Sequence, residues 1–561
     1  MLAGCTPWPD NYRSSYVERG YWKNIPLGVA FDRAALTFAR REALVWNDGR
    51  LSYAQLQMIS DRLAFWYLDA GLKPSDRVIM QLPNIPEFVY SYLALVKIGV
   101  IPVLCLPAHR LTELAGIAAK CTARGYLIPD LYNGFDYLEL AEDLKAAVST
   151  VEKVLVCGRG RGPDDVSIYD LLAKEVPHPE KVPEVLGVHR PDPSEPAVFL
   201  LSGGTTGVPK IIPRTHNDYL YTSEMTAIPL GLNMYSVYLA VAPLGHNMTL
   251  ACPGIMGTFL TGGKVVLGAS TNVAEICRAV EKEKVTVLPV VPALVIGLLN
   301  FADRGRYDLS SLKTIVSGGA KLNPEVARRV KKELGCDLVQ QFGMAEGLLT
   351  MTDVDDEEEV RFRTIGRPVS PGDEVKVVDD DGAEVPRGRP GELLCRGPYT
   401  IRGYYNAPDH NQAAFTEDGF YRTGDMVTQD PASGCLIVEG RKKDMINRGG
   451  EKISAEEVEN LILALPKVNN VAVVAMPDPV LGERSCAYVT LKENETLTLE
   501  ELNRFLLTKR IAKYKLPERL EVISQFPLTN VGKIRKNFLR QDIEEKVALE
   551  LAKNGNVSAT S

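Results

Sequence analysis

Short apolar, β-branched runs recur through the first two-thirds of the chain: "DRVIMQLPN" (76–84), "VIPVLCLP" (100–107), "KVVLGAS" (264–270), "VTVLPVV" (285–291) and "LKTIVSGG" (312–319). Between them lie helix-like stretches such as "PEFVYSYLALVKIG" (86–99) and "NPEVARRVKKELG" (323–335). Strand and helix alternating at this pace predict an α/β fold of mostly parallel sheets covered by helices. Ligands of such sheets sit in the loops beyond the carboxyl ends of the strands. The stretch "VTVLPVVPALVIGLLNFA" (285–302) has the length of a membrane span. Pro289 and Pro292 divide it into a short strand and a short apolar helix, which suits a buried pair better.

From about residue 367 the pattern changes. "PGDEVKVVDDDGAEVPRGRPGELLCRGP" (371–398) alternates apolar and polar residues between turn signals, as a small antiparallel, β-barrel-like subdomain would. "GRKKDMINRGGEK" (440–452) breaks that pattern with charges and glycines, after which helix and strand patterns resume in "SAEEVENLILAL" (454–465), "VNNVAVVAMPD" (468–478) and "SCAYVTLKE" (485–493). The expected organisation is an N-terminal core over 1–439, a hinge over 440–446 and a small mobile α+β domain over 447–561.

Composition narrows the class. At 561 residues the chain exceeds the size of a single core, and 45% apolar with 24% charged residues is the balance of a globular protein. A net charge of -7 argues against nucleic acid as the main partner. The ten cysteines never form C-x-x-C, which disfavours a zinc ribbon or dithiol site and fits reduced, buried thiols. The opening "MLAGCTPWPDNYRSSYVERGYW" has neither the basic nor the apolar region of a secretory signal, so a cytoplasmic protein is expected, with no membrane partner.

The candidate chemistry begins at "LSGGTTGVPK" (201–210). Its glycines allow a turn that presents several N–H groups to an anion, and the hydroxyls of Ser202, Thr205 and Thr206 add donors. It is not a Walker A loop, because Val208 stands in place of the second glycine and no Ser or Thr follows Lys210. For an isolated match the alternative reading is a surface turn. Five further segments follow in order: "VSGGAKL" (316–322), "QQFGMAEG" (340–347), "YRTGD" (421–425), "GRKKDMINRGGEK" (440–452) and "PLTNVGKIRK" (527–536).

On these segments the chain resembles, over essentially its whole length, the adenylate-forming superfamily of acyl-CoA synthetases, nonribosomal adenylation domains and luciferases. The resemblance implies a large and a small domain that close over ATP and a carboxylic acid. The carboxylate attacks the α-phosphate, pyrophosphate leaves, and a thiol captures the acyl-adenylate. Carried over by position, Ser202, Gly203, Gly204, Thr205, Thr206, Gly207 and Lys210 wrap the β- and γ-phosphates. Gly318, Gly319 and Ala320 line the adenine and acid pockets. Phe342 takes the place of the aromatic that stacks on adenine, within an ATP-binding run that continues through Gly343, Met344, Ala345 and Glu346. Glu346, with Thr206 nearby, is the expected Mg²⁺ ligand. Asp425 holds the ribose hydroxyls with help from Arg441, Lys443 is the hinge, and Lys452 reaches the nucleotide or the acid. Lys533 bridges acid and α-phosphate as the catalytic lysine, with His246 the second catalytic candidate. Together these residues make a non-catalytic nucleotide-binding homologue the weaker alternative.

Within the superfamily, "APLGHNMTLACPG" (242–254), "IPRTHNDYLY" (212–221) and "MINRGGEKISAEEVE" (445–459) are most similar to stand-alone aryl acid-AMP ligases, which activate salicylate or 2,3-dihydroxybenzoate for siderophore assembly. The resemblance implies that Asn247, after His246, reads the ortho hydroxyl of the ring. Cys252 stands where a serine accompanies dihydroxybenzoate and a cysteine salicylate, so salicylate is favoured. Met248 and Thr249 depart from the aromatic and proline usual there, and Gln341 occupies a position that is usually apolar. A buried glutamine needs partners, so a 2-amino, hydroxylated or pyridine analogue stays open. The implied acceptor is the phosphopantetheine thiol of an aryl carrier protein in trans, or free CoA.

Overall fold

The structure, a computed structural model, describes all residues other than 48, 163–164, 203–208, 321, 449–450, 479, 510, 512, 529–533 and 558–561, and leaves aside the side chains of 443, 451–452 and 551–557. Two units are compact in themselves: Met1–Val375 with Cys395–Arg422, and Lys376–Leu394 with Thr423–Ser561.

The first unit carries two large sheets. A seven-stranded sheet runs in spatial order Ile211–Thr215 (β1), Pro196–Leu201, Ile101–Leu104, Arg77–Met80, Gly125–Pro129, Lys153–Cys157 and Asp165–Ser167. Its pairs are parallel except at β1. A nine-stranded sheet runs Gly49–Ser52, Glu42–Trp46, Lys264–Leu267, Val237–Ala240 (β2), Val287–Val290, Thr314–Gly318 (β3), Asp337–Gly343 (β4), Leu349–Met351 and Arg367–Pro368. Pairing is parallel from Glu42–Trp46 to β4, and antiparallel strands close both edges.

Every apolar run quoted above forms a strand, and the physical reason is burial on both faces: Ile101–Leu104 and β3 are buried at each position. Ile79, Val103, Ile128 and Phe199 pack in one core, and Leu239, Leu288, Ile315 and Leu338 in another. Each such side chain contributes about 1.5–3 kcal/mol on burial. The flanking helices carry their own start and stop signals. In Pro324–Leu334 the Asn323 side chain accepts from the Glu325 N–H, proline occupies the first turn, and Gly335 at φ 71° ends the helix. The 285–302 stretch divides as expected into Val287–Val290 and a helix over Pro292–Asn300. No described helix is long and apolar enough to cross a membrane.

Most of a four-stranded sheet lies in the second unit, in the order Glu374–Val378, Pro390–Arg396, Tyr421–Gln429 (β5), Leu436–Arg441 (β6), the small sheet expected after residue 367. A five-stranded sheet includes the long antiparallel pair Val468–Asp478 and Gly482–Leu491. Alternation along Val468–Asp478 builds two cores. Val471 and Val473 face Val458, Ile462 and Leu502, whereas Ala472 and Val474 face Phe526, Leu539 and Ile543.

Candidate active site

The candidate acid-binding residues gather at the carboxyl ends of β2, β3 and β4, where a doubly wound sheet places its ligands. β3 ends on buried Gly318, and Gly319 follows at φ 83°, a left-handed conformation that favours glycine. Beyond β2 the chain is held by Asn84, whose Nδ2 donates to the carbonyls of Ala240 and Ala242 while Oδ1 accepts from the Leu244 N–H at 2.9 Å. This fixes the approach to His246, the cap of a short helix over Asn247–Ala251 (α1). His246 Nδ1 accepts from the Met248 N–H at 3.3 Å, so the neutral ring carries its proton on Nε2, and the side chain is exposed.

Behind His246, three polar side chains converge on Cys252. The Asn247 Oδ1 accepts from the Tyr219 hydroxyl at 2.9 Å, which turns the amide NH₂ toward the Cys252 thiol. Gln341 projects from β4 and donates from Nε2 to the Cys252 carbonyl at 2.9 Å. Gln341 is only 6% exposed, and its Oε1 has no hydrogen-bond partner among the described residues. Because a backbone carbonyl only accepts, the Nε2 end is fixed and Oε1 is the free acceptor. A Cβ on Gly318 would lie 3.5 Å from that oxygen and 2.8 Å from Met248 Sδ, so the Met248 thioether packs into the room that the glycine's missing side chain leaves. Burial pushes the Cys252 thiol up to about 12, against the opposing effects of Arg214 and Asn247, and keeps it protonated. Gln340, one residue before Gln341, faces the other side of the strand, where Nε2 donates to the carbonyls of Arg361 and Phe362.

The cluster rests on an ion pair that the sequence reading did not single out. Arg214 on β1 donates from Nε to Asp218 Oδ1 at 2.7 Å, from Nη1 to the Ala345 carbonyl and from Nη2 to the Thr222 hydroxyl. Asp218 lies in the helix His216–Ala227 (α2) that β1 feeds directly, and its Oδ2 accepts from the Thr215 N–H. The signal was present as a capping box, Thr215 with Asp218 three residues on. Through Ala345, Arg214 also fastens the segment that carries Glu346.

Glu346 is half-buried, and its Oε1 accepts from the Tyr404 hydroxyl at 2.8 Å. Gly347, at φ 126°, lies so close to Thr400 that a Cβ would meet the Thr400 Cα at 2.4 Å, which sets the turn after Glu346. Tyr404, likewise missed in the sequence, also bonds the Tyr421 hydroxyl at 2.9 Å and carries Lys210 Nζ 5.0 Å from its ring centroid. Ser202 and Lys210 clamp the ends of the glycine-rich turn: the Ser202 N–H donates to the Lys210 carbonyl and the Lys210 N–H to Ser202 Oγ, both at 3.0 Å. Gly203, Gly204, Thr205, Thr206 and Gly207 lie outside the described residues. Phe342 is partly exposed, Gly319, Ala320 and Gly343 are exposed, and Met344 is buried.

In the second unit, Asp425 on β5 sits opposite Arg441 on β6, with Arg441 Nε 2.8 Å from Asp425 Oδ1. Asp425 is 2% exposed, and its N–H donates to Thr423 Oγ1. Lys443 falls in the turn Lys442–Asp444, and Lys452 pairs through its backbone with Asn447. The side chains of Lys443 and Lys452, and the whole of Lys533, lie outside the described residues. Among the described residues no three His, Cys, Asp or Glu side chains converge as a metal-binding group.

Comparison with known proteins places this geometry. The model of the AMP-binding enzymes matches residues 31–405, and that of the AMP-binding enzyme C-terminal domain matches residues 457–533. The 2,3-dihydroxybenzoate-AMP ligase of Bacillus subtilis (strain 168) is 44% identical over 98% of this chain and 99% of its own length. A salicylyl-CoA synthase / salicylate adenylyltransferase of a Streptomyces species is 46% identical over 97% of this chain and 98% of its own. Among solved structures, apo MbtA of Mycobacterium smegmatis superposes with a TM-score of 0.73 at 39% identity, covering 96% of this chain and 99% of that one. Matched by both family models and by relatives along almost its entire length, the chain belongs to the adenylate-forming AMP-binding enzymes.

Proposed function

We propose that this enzyme activates an aromatic carboxylic acid, salicylate or a close 2-hydroxybenzoate analogue, with ATP in the cytoplasm. It then passes the aryl group to the phosphopantetheine thiol of an aryl carrier protein supplied in trans. The observation that carries this reading is the convergence of Asn247, Cys252 and Gln341 behind His246, at the carboxyl ends of β2 to β4. Such a pocket offers an amide NH₂ to an ortho oxygen beside a neutral, buried sulfur. A ring lacking that oxygen would leave the Asn247 donor unpaired, at about 1–3 kcal/mol.

In the first step a carboxylate oxygen bonds the α-phosphorus as the bond to the β-phosphate oxygen breaks, and pyrophosphate leaves. The chain's contribution is positioning and charge. Lys533 would hold the carboxylate against the α-phosphate, and His246 Nε2–H would orient the acid. Ser202, the 203–207 backbone and Lys210 would grip the β- and γ-phosphates, Phe342 the adenine, and Asp425 with Arg441 the ribose. In the second step the pantetheine sulfur bonds the acyl carbon and AMP leaves with its oxygen.

The half-buried carboxylate of Glu346, held in place by the Tyr404 hydroxyl, fits a magnesium ligand. Glu346 and Thr206 would hold the ion, and when bound it supplies neutralisation of phosphate charge.

Acid-dependent ATP–pyrophosphate exchange across a panel of aryl acids tests the reading, followed by thioester formation on an aryl carrier protein against free CoA. Salicylate-type acids should exchange and benzoate poorly, and faster loading of CoA than of the carrier would assign the alternative acceptor. Lys533→Ala should abolish exchange yet largely spare thiolation of a preformed aryl-adenylate, whereas equal loss in both assays would refute the lysine's role.

A further inference from the structure

One side chain touches the metal candidate Glu346 and the phosphate candidate Lys210 at once. Tyr404 is 1% exposed, and Asn411 fixes its main chain twice, Oδ1 accepting from the Tyr404 N–H at 2.7 Å and Nδ2 donating to its carbonyl at 3.0 Å. The Tyr404 hydroxyl lies 2.8 Å from Glu346 Oε1 and 2.9 Å from the Tyr421 hydroxyl. A carboxylate only accepts, so the single hydroxyl proton of Tyr404 goes to Glu346, and the Tyr421 hydroxyl donates to the Tyr404 oxygen. The chain Tyr421, Tyr404, Glu346 thus runs one way, each bond polarising the next. Burial and the neighbouring carboxylate push the Tyr404 phenol far above its ordinary range, which keeps it a donor.

The ring of the same residue makes a separate contact. Lys210 Nζ stands 5.0 Å from its centroid, close enough to be attracted by the negative face of the π system. Ser202 already clamps the Lys210 main chain, so the ring restrains the far end of a side chain whose near end is fixed. Resting on the ATP and magnesium reading above, we propose that Tyr404 is a positioning residue with two separable parts: its hydroxyl orients Glu346 for the metal ion, and its ring holds the Lys210 ammonium for the phosphates. One rigid ring then sets the spacing of a carboxylate and an ammonium that serve the same triphosphate, and less side-chain freedom is lost when it binds.

The test reads binding rather than turnover. Mn²⁺ affinity is measured by electron paramagnetic resonance with ATP present and the acid omitted, and ATP affinity by calorimetry in EDTA. Tyr404→Phe keeps the ring and should weaken Mn²⁺ about ten- to a hundredfold, the range for lost support of a metal ligand, with metal-free ATP affinity unchanged. Tyr404→Leu removes both parts and should also weaken metal-free ATP binding about two- to fivefold, the range of a cation–π contact. Glu346→Gln checks the underlying reading: if it binds Mn²⁺ as the wild type does, Glu346 is not the ligand and the inference falls with that assignment. If Glu346→Gln loses Mn²⁺ and Tyr404→Phe does not, the inference alone is overturned. The same metal-free ATP affinity in the Phe and Leu variants would overturn the role of the ring. Should Tyr404→Phe fail to fold, Tyr421→Phe decides the hydroxyl's role from one step back along the chain, weaker Mn²⁺ binding supporting it and wild-type binding overturning it. No arm uses an aryl acid, so the identity of the acid does not bear on the outcome.

Discussion

Two buried polar clusters meet at Cys252 and are built to opposite ends. In the Arg214 cluster all three guanidinium nitrogens donate and both Asp218 oxygens accept, within side chains that are 1% and 0% exposed. In the pocket cluster Gln341 is nearly as deeply buried, yet one of its two polar atoms has no partner among the described residues. A saturated network rigidifies what surrounds it, whereas an unsaturated one keeps its capacity for something that arrives later. The first cluster fixes β1, α2 and the Glu346 segment, and the second is the one that the proposed function assigns to the acid.

The comparison breaks most visibly at Arg214. Arg214→Met leaves Asp218 as an uncompensated buried carboxylate and should cost about 3–5 kcal/mol by chemical denaturation. A loss below about 1 kcal/mol would mean that the pair is not the scaffold described. At the pocket, Asn247→Leu should leave the fold intact and change selectivity, lowering the kcat/KM ratio of salicylate to benzoate about ten- to a hundredfold. If both acids lose equally, Asn247 holds the backbone and does not read the ring.

Asp373 sharpens the comparison, because it is a buried carboxyl stabilised by the Tyr399 hydroxyl at 2.5 Å rather than by a cation. Burial pushes it up to about 8 from its ordinary 3.8, against the lowering effect of Tyr399. A folded value above the unfolded one contributes stability that is complete below pH 3.8 and is lost as pH rises through about 8. Melting temperature should therefore decline between pH 5 and pH 9 by a few degrees more in the wild type than in Asp373→Asn. Parallel profiles would show that Tyr399 alone keeps the carboxylate charged at no cost.

The strands and helices of the first unit were legible in the chain because continuous β-branched runs and capped helices are local signals. The candidate residues of the pocket were legible as well, yet only as a set implied by likeness to a family. Asn84, Arg214 and Tyr404 were passed over for a common reason. Asn84 acts on carbonyls 156 to 158 residues away, Arg214 on Ala345 at a separation of 131, and Tyr404 on Glu346 at 58, separations that no periodicity reports.

Gln341 shows where the division falls. The sequence by itself determined that a glutamine stands where an apolar residue was expected, and the strand over Asp337–Gly343 sends it to the face opposite Gln340. It left a hydroxyl, an amine and a ring nitrogen equally open. Only the tertiary structure brought the Cys252 carbonyl against Nε2, and that one contact decided the polarity of the other end. An amide's direction is set by its partners, and these partners stand 89 residues apart.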